Sequence, residues 1–201
     1  MSKVQVDTID TRSGTSTMQI GSTNTSTINI GVSGDTINIP SGVTIANAGT
    51  ATGFGESNTP AFFVQLSGDQ TISNNSWTKV TCQTEHKDTD NAYDNSSNYR
   101  FTPQKAGLYV FHIGTGIEAV TVDKNIEMVV YKNGSNGYFG LSKLLSQAST
   151  GATNMQTSSV QVANGSSDYF EFYFYHNSGS SKSLQANRTF FAGYYITTWA
   201  P

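Results

Sequence analysis

The sequence predicts an all-β chain in two parts, an N-terminal intertwined trimeric β-stalk followed by a C-terminal antiparallel jelly-roll β-sandwich. Three observations predict it. A four-residue word, apolar-polar-Ile-small, recurs as MQIG, INIG, INIP and VTIA between Met18 and Ala46. After Pro60, short runs rich in Val, Ile, Thr, Tyr and Phe alternate with Gly, Asn and Ser clusters at the spacing of a sandwich. Apolar recurrence at helical spacing is nearly absent, and KLLSQA (143–148) is too short to carry a helix.

The first element is the repeat. In an extended strand, side chains alternate between faces, so the apolar pairs Met18/Ile20, Ile28/Ile30, Ile37/Ile39 and Val43/Ile45 each point one way. Gly14, Gly21, Gly31, Gly34 and Gly42 stand between the pairs, where the chain must turn and where positive φ is cheap. From Ile28 to Ile37 the chain covers a perimeter of roughly 30 Å, a triangle about 10 Å on a side. Facing sheets already need about 10 Å between them, so one chain coiled on itself has no room for its Ile side chains. Three chains around a common axis have that room, and the eight apolar residues then form the trimer core of a stalk. The alternative is a solvated Ser/Thr/Gly linker, which has no use for regular Ile pairs.

The boundary follows from the aromatic residues. Every Trp and Tyr, and every Phe except Phe54, lies after Pro60. Residues 1–57 are therefore assigned to the stalk and its attachment segment, and residues 58–201 to the head, with the Gly/Thr/Asn-rich stretch near 46–60 as linker. In the head the candidate strands are, in order, AFFVQL, WTKVTCQTE, SNYRFT, GLYVFHIGTGI, IEMVVYKNG, TSSVQVAN, DYFEFYFYH and FFAGYYITTW. Asn133-Gly134 after Tyr131-Lys132 marks a hairpin turn. The run from Tyr169 to Tyr175 is aromatic on both faces, one to fill the sandwich and one for a subunit interface through Tyr169, Tyr173 and Tyr175.

Composition excludes several function classes. Charged residues are 12% of the chain against about 25% in typical domains, so Ser, Thr, Asn, Gln and Gly must cover the surface. A net charge of −3 offers no basic footprint for nucleic acid. No stretch approaches a membrane span. Cys82 is alone and reads as a buried structural thiol. The opening MSKVQVDTID lacks the apolar core of a secretory signal, so the expected place of synthesis is a cytoplasm.

Pro60-Ala61-Phe62, Tyr93-Asp94, Tyr99-Arg100-Phe101-Thr102, Ala106-Gly107-Leu108-Tyr109-Val110-Phe111, Val129 to Gly134 and Thr189 to Ile196 follow one another in an order that resembles the globular head of complement's first component. The chain departs from that pattern at Asn98, where a Gly is expected, and before Asp168-Tyr169-Phe170, where the usual Gly-Asp turn is missing. The resemblance implies a jelly roll similar to tumour necrosis factor that packs as a compact trimer. Val4-Gln5-Val6-Asp7-Thr8-Ile9, followed by the Thr/Asn/Ile-Gly repeats, resembles the beginning of phage tail fibres and related virion appendages. That resemblance implies attachment to the virion at the N-terminus and contact with the host at the C-terminal knob.

Chemistry-bearing motifs are few. EHKDTDNAYDNSS, from Glu85 to Ser97, gathers Glu85, Asp88, Asp90 and Asp94 and reads as a solvated turn, with a cation site as the alternative. As an EF-hand it fails, because Ala92 takes a ligand place and Tyr93 the required Gly. His86, His112 and His176 share no ligand spacing, and His112 reads as a structural or interface residue. No nucleophile elbow, P-loop or dinucleotide fingerprint occurs. The expectation is no enzyme, no metal and no cofactor. For receptor binding the candidates are Tyr138 and Phe139, beside the hairpin tip, together with Tyr93 and Asp94. Aromatic rings among small polar groups suit sugars; the alternative places Tyr138 and Phe139 in the core. The function expected is a homotrimeric phage appendage on the virion, partnered by itself, by other virion proteins through its N-terminus and by a host-surface glycan. A purely structural virion fibre or decoration protein and a secreted lectin-like head are the alternatives.

Overall fold

The computed structural model describes residues 20–21, 23–44, 46, 58–135, 140–146 and 151–199. The chain divides into two units, Met1–Phe54 and Gly55–Pro201, each taken by itself below.

In the first unit two of the three described turns contain a glycine expected at a corner, Gly34 and Gly42, while the third falls on Thr23-Asn24; Gly14 lies outside the described residues. Turns occupy residues 23–24, 33–34 and 41–42. Gly21, Gly31, Gly34 and Gly42 all have positive φ, between 79° and 103°. Asp35 closes one corner from both sides, its N–H donating to the Val32 carbonyl at 3.0 Å and its carboxylate accepting from the Val32 N–H at 2.9 Å. Between corners, the described residues make no strand pairing within the chain, and Ile20, Ile28, Ile30, Ile37, Ile39 and Val43 are 45–65% exposed. One chain alone neither pairs these segments nor buries their apolar side chains. Met18 and Ile45 lie outside the described residues.

The second unit is a sandwich of two antiparallel sheets. Its strands are β1 (Ala61–Gln65), β2 (Gln70–Ile72), β3 (Thr78–Lys79), β4 (Thr84–Asp88), β5 (Tyr93–Asp94), β6 (Arg100–Phe101), β7 (Ala106–Ile117), β8 (Asn125–Lys132), β9 (Ser142–Leu145), β10 (Thr153–Asn164), β11 (Phe170–His176), β12 (Lys182–Leu184) and β13 (Phe190–Thr197). The first sheet runs β4-β1-β13-β7-β10, with β12 and β2 continuing beyond the end of β13. The second runs β5-β6-β11-β8-β9, with β3 beside β11. Strands adjacent in sequence repeatedly fall in opposite sheets, as β7 and β8 do, while β1 pairs with the last strand, β13. That crossing pattern is a jelly roll, the architecture expected from the sequence. Among the described residues the one helical element is a 3₁₀ turn, Ala186–Arg188, and no helix is long and apolar enough to cross a membrane.

Alternation builds the core. Phe62 and Val64 of β1, Tyr109, Phe111 and Ile113 of β7, and Phe191 and Tyr195 of β13 turn inward from the first sheet. Phe101, Met128, Val130, Phe170, Phe172 and Phe174 meet them from the second. Phe62 stacks on Phe101 at 4.3 Å and meets Phe191 edge-on at 4.8 Å; Phe111 meets Phe170 at 4.5 Å. Gly193 is required by this packing, since a Cβ there would stand 2.6 Å from the Phe111 ring. Cys82 is buried, and that burial pushes its thiol up to about 12, so it stays protonated and inert.

The sequence misplaces one segment. WTKVTCQTE, read as one strand, is divided into β3 and the start of β4, and His86 to Asp88, read as loop, continue β4 as an edge strand against β1, with charged side chains that suit a sheet edge. Part of KLLSQA is also strand, as β9 against β8.

His176 is buried at the end of β11, its Nε2 3.1 Å from the Ile72 carbonyl oxygen and its Nδ1 2.7 Å from Ser178 Oγ. Burial lowers its pKa below the ordinary histidine value. The unfolded chain then binds the proton first, so stability is full above about pH 6.5 and declines as pH falls through that value. Thermal melts between pH 7.5 and 5 are expected to show a decline in Tm that is flatter in His176→Gln.

Candidate functional site

Three surfaces of the head carry chemistry. The first is a cleft of about 640 Å³ between residues 90 and 104, lined by amides, hydroxyls, Asp90, Asp94 and Arg100. Asp88 anchors its rim, accepting from the Asp90 N–H at 3.3 Å and from the Tyr93 N–H at 2.7 Å. Asp94 folds the following turn around its own carboxylate. Oδ1 accepts from the N–H groups of Ser96 (3.0 Å) and Ser97 (2.9 Å), and Oδ2 from the Asn98 N–H (3.1 Å) and Nδ2 (2.7 Å). The Ser97 and Ser96 N–H groups hold that carboxyl far below the ordinary range, so it stays ionised. Such a carboxylate organises a loop and is not poised to exchange protons. Among the described residues no group of three His, Cys, Asp or Glu side chains could hold a metal ion.

Tyr93, expected to face a receptor beside Asp94, does not. It is 4% exposed, stacks on Phe62 at 5.3 Å and donates its hydroxyl to the Cys82 carbonyl at 3.3 Å. Strand alternation decides this: β5 pairs with β6 so that Tyr93 lies opposite Phe101 and faces the core, while Asp94 lies opposite Arg100 and faces out. Tyr138 and Phe139 lie outside the described residues. The hairpin turn before them is present, with positive φ at Asn133 and Gly134. Asn133 ties it to β11 by donating to Asp168 (2.8 Å) and accepting from the Tyr169 N–H (2.9 Å).

The second surface is the outer face of the second sheet. It carries Tyr169, Tyr173 and Tyr175 together with Trp77 and Tyr131, two rings that the sequence reading left out of any site. Tyr131 stacks on Tyr173 at 4.1 Å, and Trp77 lies 5.9 Å from Tyr131 and 5.4 Å from Tyr175. Arg100 lies over the Tyr169 ring at 4.3 Å. Glu171, 3% exposed, pairs with Lys79, and Glu127 pairs with Lys143 at 3.2 Å. Val129, opposite Tyr173 on this same face, is fully buried, so the rings close over the sheet.

The third surface is the outer face of the first sheet. Register aligns Ala61, Tyr194, Val110 and Val160 in one row across four strands, and Phe63, Ala192, His112 and Ser158 in the next. Val160 is 53% exposed, and Phe63, Tyr194 and Ile196 are each about two-fifths exposed. His112 donates to or accepts from Ser158 Oγ at 2.8 Å. Four of the eight exposed large apolar side chains among the described residues of the head, Phe63, Val160, Tyr194 and Ile196, stand on this face.

No family model and no curated protein matches the chain. Among solved structures it is similar to the Eiger TNF of S. frugiperda, at 11% identity and a TM-score of 0.46, covering 70% of this chain and 94% of that one. It is also similar to murine APRIL at pH 5.0 (12%, 0.48, covering 68% and 98%) and to the vertex protein P5 of PRD1 (16%, 0.48, covering 71% and 100%).

Proposed function

We propose that the chain is a homotrimeric virion appendage whose N-terminal β-stalk carries a jelly-roll knob that binds a glycan on the host surface. The observation that carries this reading is the apolar side chains of the stalk repeat, which recur at strand spacing between glycine corners and stay exposed in a single chain. A trimer supplies the missing neighbours. The head adds a candidate contact, the row of Val110, Val160 and Tyr194 on the first sheet. We place the subunit contact there rather than at Tyr169, Tyr173 and Tyr175, because the rings of those three are already half covered within their own chain. The N-terminus faces the virion and the knob faces the cell. Three weak sites on one stalk act together, since the second and third binding events are intramolecular. Purely structural decoration of a virion is the rival reading.

The test is a panel of bacterial surface polysaccharides, immobilised and probed with the full chain. Retention by some members and not others, weakened at least tenfold when the trimer is broken, is the expected result. No retention on any member, together with incorporation into particles, would favour the structural rival.

A further inference from the structure

We propose that the outer face of the second sheet, centred on Trp77, Tyr173 and Tyr175 and running into the cleft beside Arg100, is the site that binds sugar, and that its ligand is an uncharged oligosaccharide of several units. The inference rests on the glycan-binding reading above and names the place and the ligand class.

Three observations support it. Trp77, Tyr131, Tyr173 and Tyr175 form a continuous aromatic strip outside the core cluster, and Trp77, Tyr173 and Tyr175 are only half-buried, so each keeps part of its surface open to solvent. The C–H faces of pyranose rings stack on such rings while their hydroxyls bond to polar groups alongside. The strip is held rigid: the Tyr175 hydroxyl donates to Asn75 at 3.3 Å, and Lys79, paired with Glu171, also donates to the Asn98 carbonyl at 3.1 Å. A rigid aromatic surface loses little entropy on binding. Asn98 and Arg100 line the cleft as well, so strip and cleft adjoin; the strip offers ring faces, and the cleft offers amides and hydroxyls for the sugar's own hydroxyls.

Charge selects the ligand. Glu171 with Lys79 and Glu127 with Lys143 are ion pairs, and Arg100 lies against Tyr169. The two carboxylates of the strip are thus paired, and in the cleft Asp90 and Asp94 stand beside Arg100, so the surface holds no excess of positive charge to attract a polyanion and suits a neutral polyhydroxylated chain. A second copy of the chain is the other conceivable occupant. The more exposed apolar side chains, Val160, Tyr194 and Phe63, stand on the opposite sheet, and that is where a copy gains most area.

Trp77 provides the readout, because the chain has two Trp residues and the other is Trp199. In full-length Trp199→Phe protein, fluorescence is titrated with uncharged hexasaccharides of glucose, mannose and galactose and with O-chain polysaccharides from a bacterial panel. The expected result is a saturable shift with at least one of them. Tyr175→Ala should weaken that binding at least tenfold, with mass in solution and circular dichroism unchanged. Tyr173→Phe, which keeps the ring, should retain it. Binding to Trp77→Ala, which lacks the reporter, is read by calorimetry instead; if the full chain binds a carbohydrate with equal affinity in Tyr175→Ala and Trp77→Ala, the site lies elsewhere and the glycan-binding reading survives without this inference. If Tyr175→Ala lowers the mass of the assembly, the face is a subunit contact and the inference is wrong. If no carbohydrate in the panel binds, both fall.

Discussion

Replacing Ile30 and Ile39 by Asp in the same chain is expected to unravel the stalk while leaving the head folded. Both side chains are exposed in the single chain, so the substitutions cost a monomer little. In the trimer each lost Ile removes about 1.5–3 kcal/mol of burial per chain, and three carboxylates gather around the axis at each level. The loss for the assembly is on the order of 10 kcal/mol or more, enough to abolish stalk pairing. Limited proteolysis checks this: digestion should stop near Ser57 and leave a fragment with the near-ultraviolet circular dichroism of the intact head. Loss of the head's signal as well would show that the two parts do not fold independently.

Introducing Lys at both Val160 and Tyr194 is expected to separate the heads. Val160 sits on β10 and Tyr194 on β13, both facing out from the first sheet and joined in one row through Val110. Their exposure makes the change tolerable in a lone subunit. In a packed interface it buries charges without partners, at a cost of roughly 3–5 kcal/mol. A shift of that size raises the dissociation midpoint by about two to three orders of magnitude, since about 1.4 kcal/mol is tenfold. A head beginning at Ser57 and carrying both substitutions should therefore sediment as one chain at micromolar concentration with an unchanged melting profile. An unchanged mass would move the subunit contact to another face.

The long strands were legible because their own side chains specify them. β7, β8, β10, β11 and β13 alternate clearly, and Asn133-Gly134 marks its turn by the backbone conformation it permits. The short strands β2, β9 and β12 were not, because partners rather than pattern make them strands; β12 is a strand through β2 and one bridge to β7. The His86 to Asp88 part of β4 was missed because charge in a short segment reads as loop, although an edge strand needs that charge. The site was legible only in part. Asp94 faces out, opposite Arg100, but adjacency to it misleads for Tyr93, since neighbours on a strand face opposite ways. Trp77 and Tyr131 lie far apart in sequence, and only the pairing of β3, β11 and β8 brings them beside Tyr173 and Tyr175. The alternation of Ile with polar residues in the repeat was plain, and among the described residues no strand of the same chain pairs with it.

Threefold assembly is the central claim, and mass in solution by light scattering tests it most directly. The full chain and a shortened chain beginning at Ser57 are measured across a range of concentrations. The account predicts three copies for the full chain, with a mass near three times 21.6 kDa, and three for the shortened one. A full chain that remains single at all concentrations would contradict both the shared stalk core and the contact through Val110, Val160 and Tyr194.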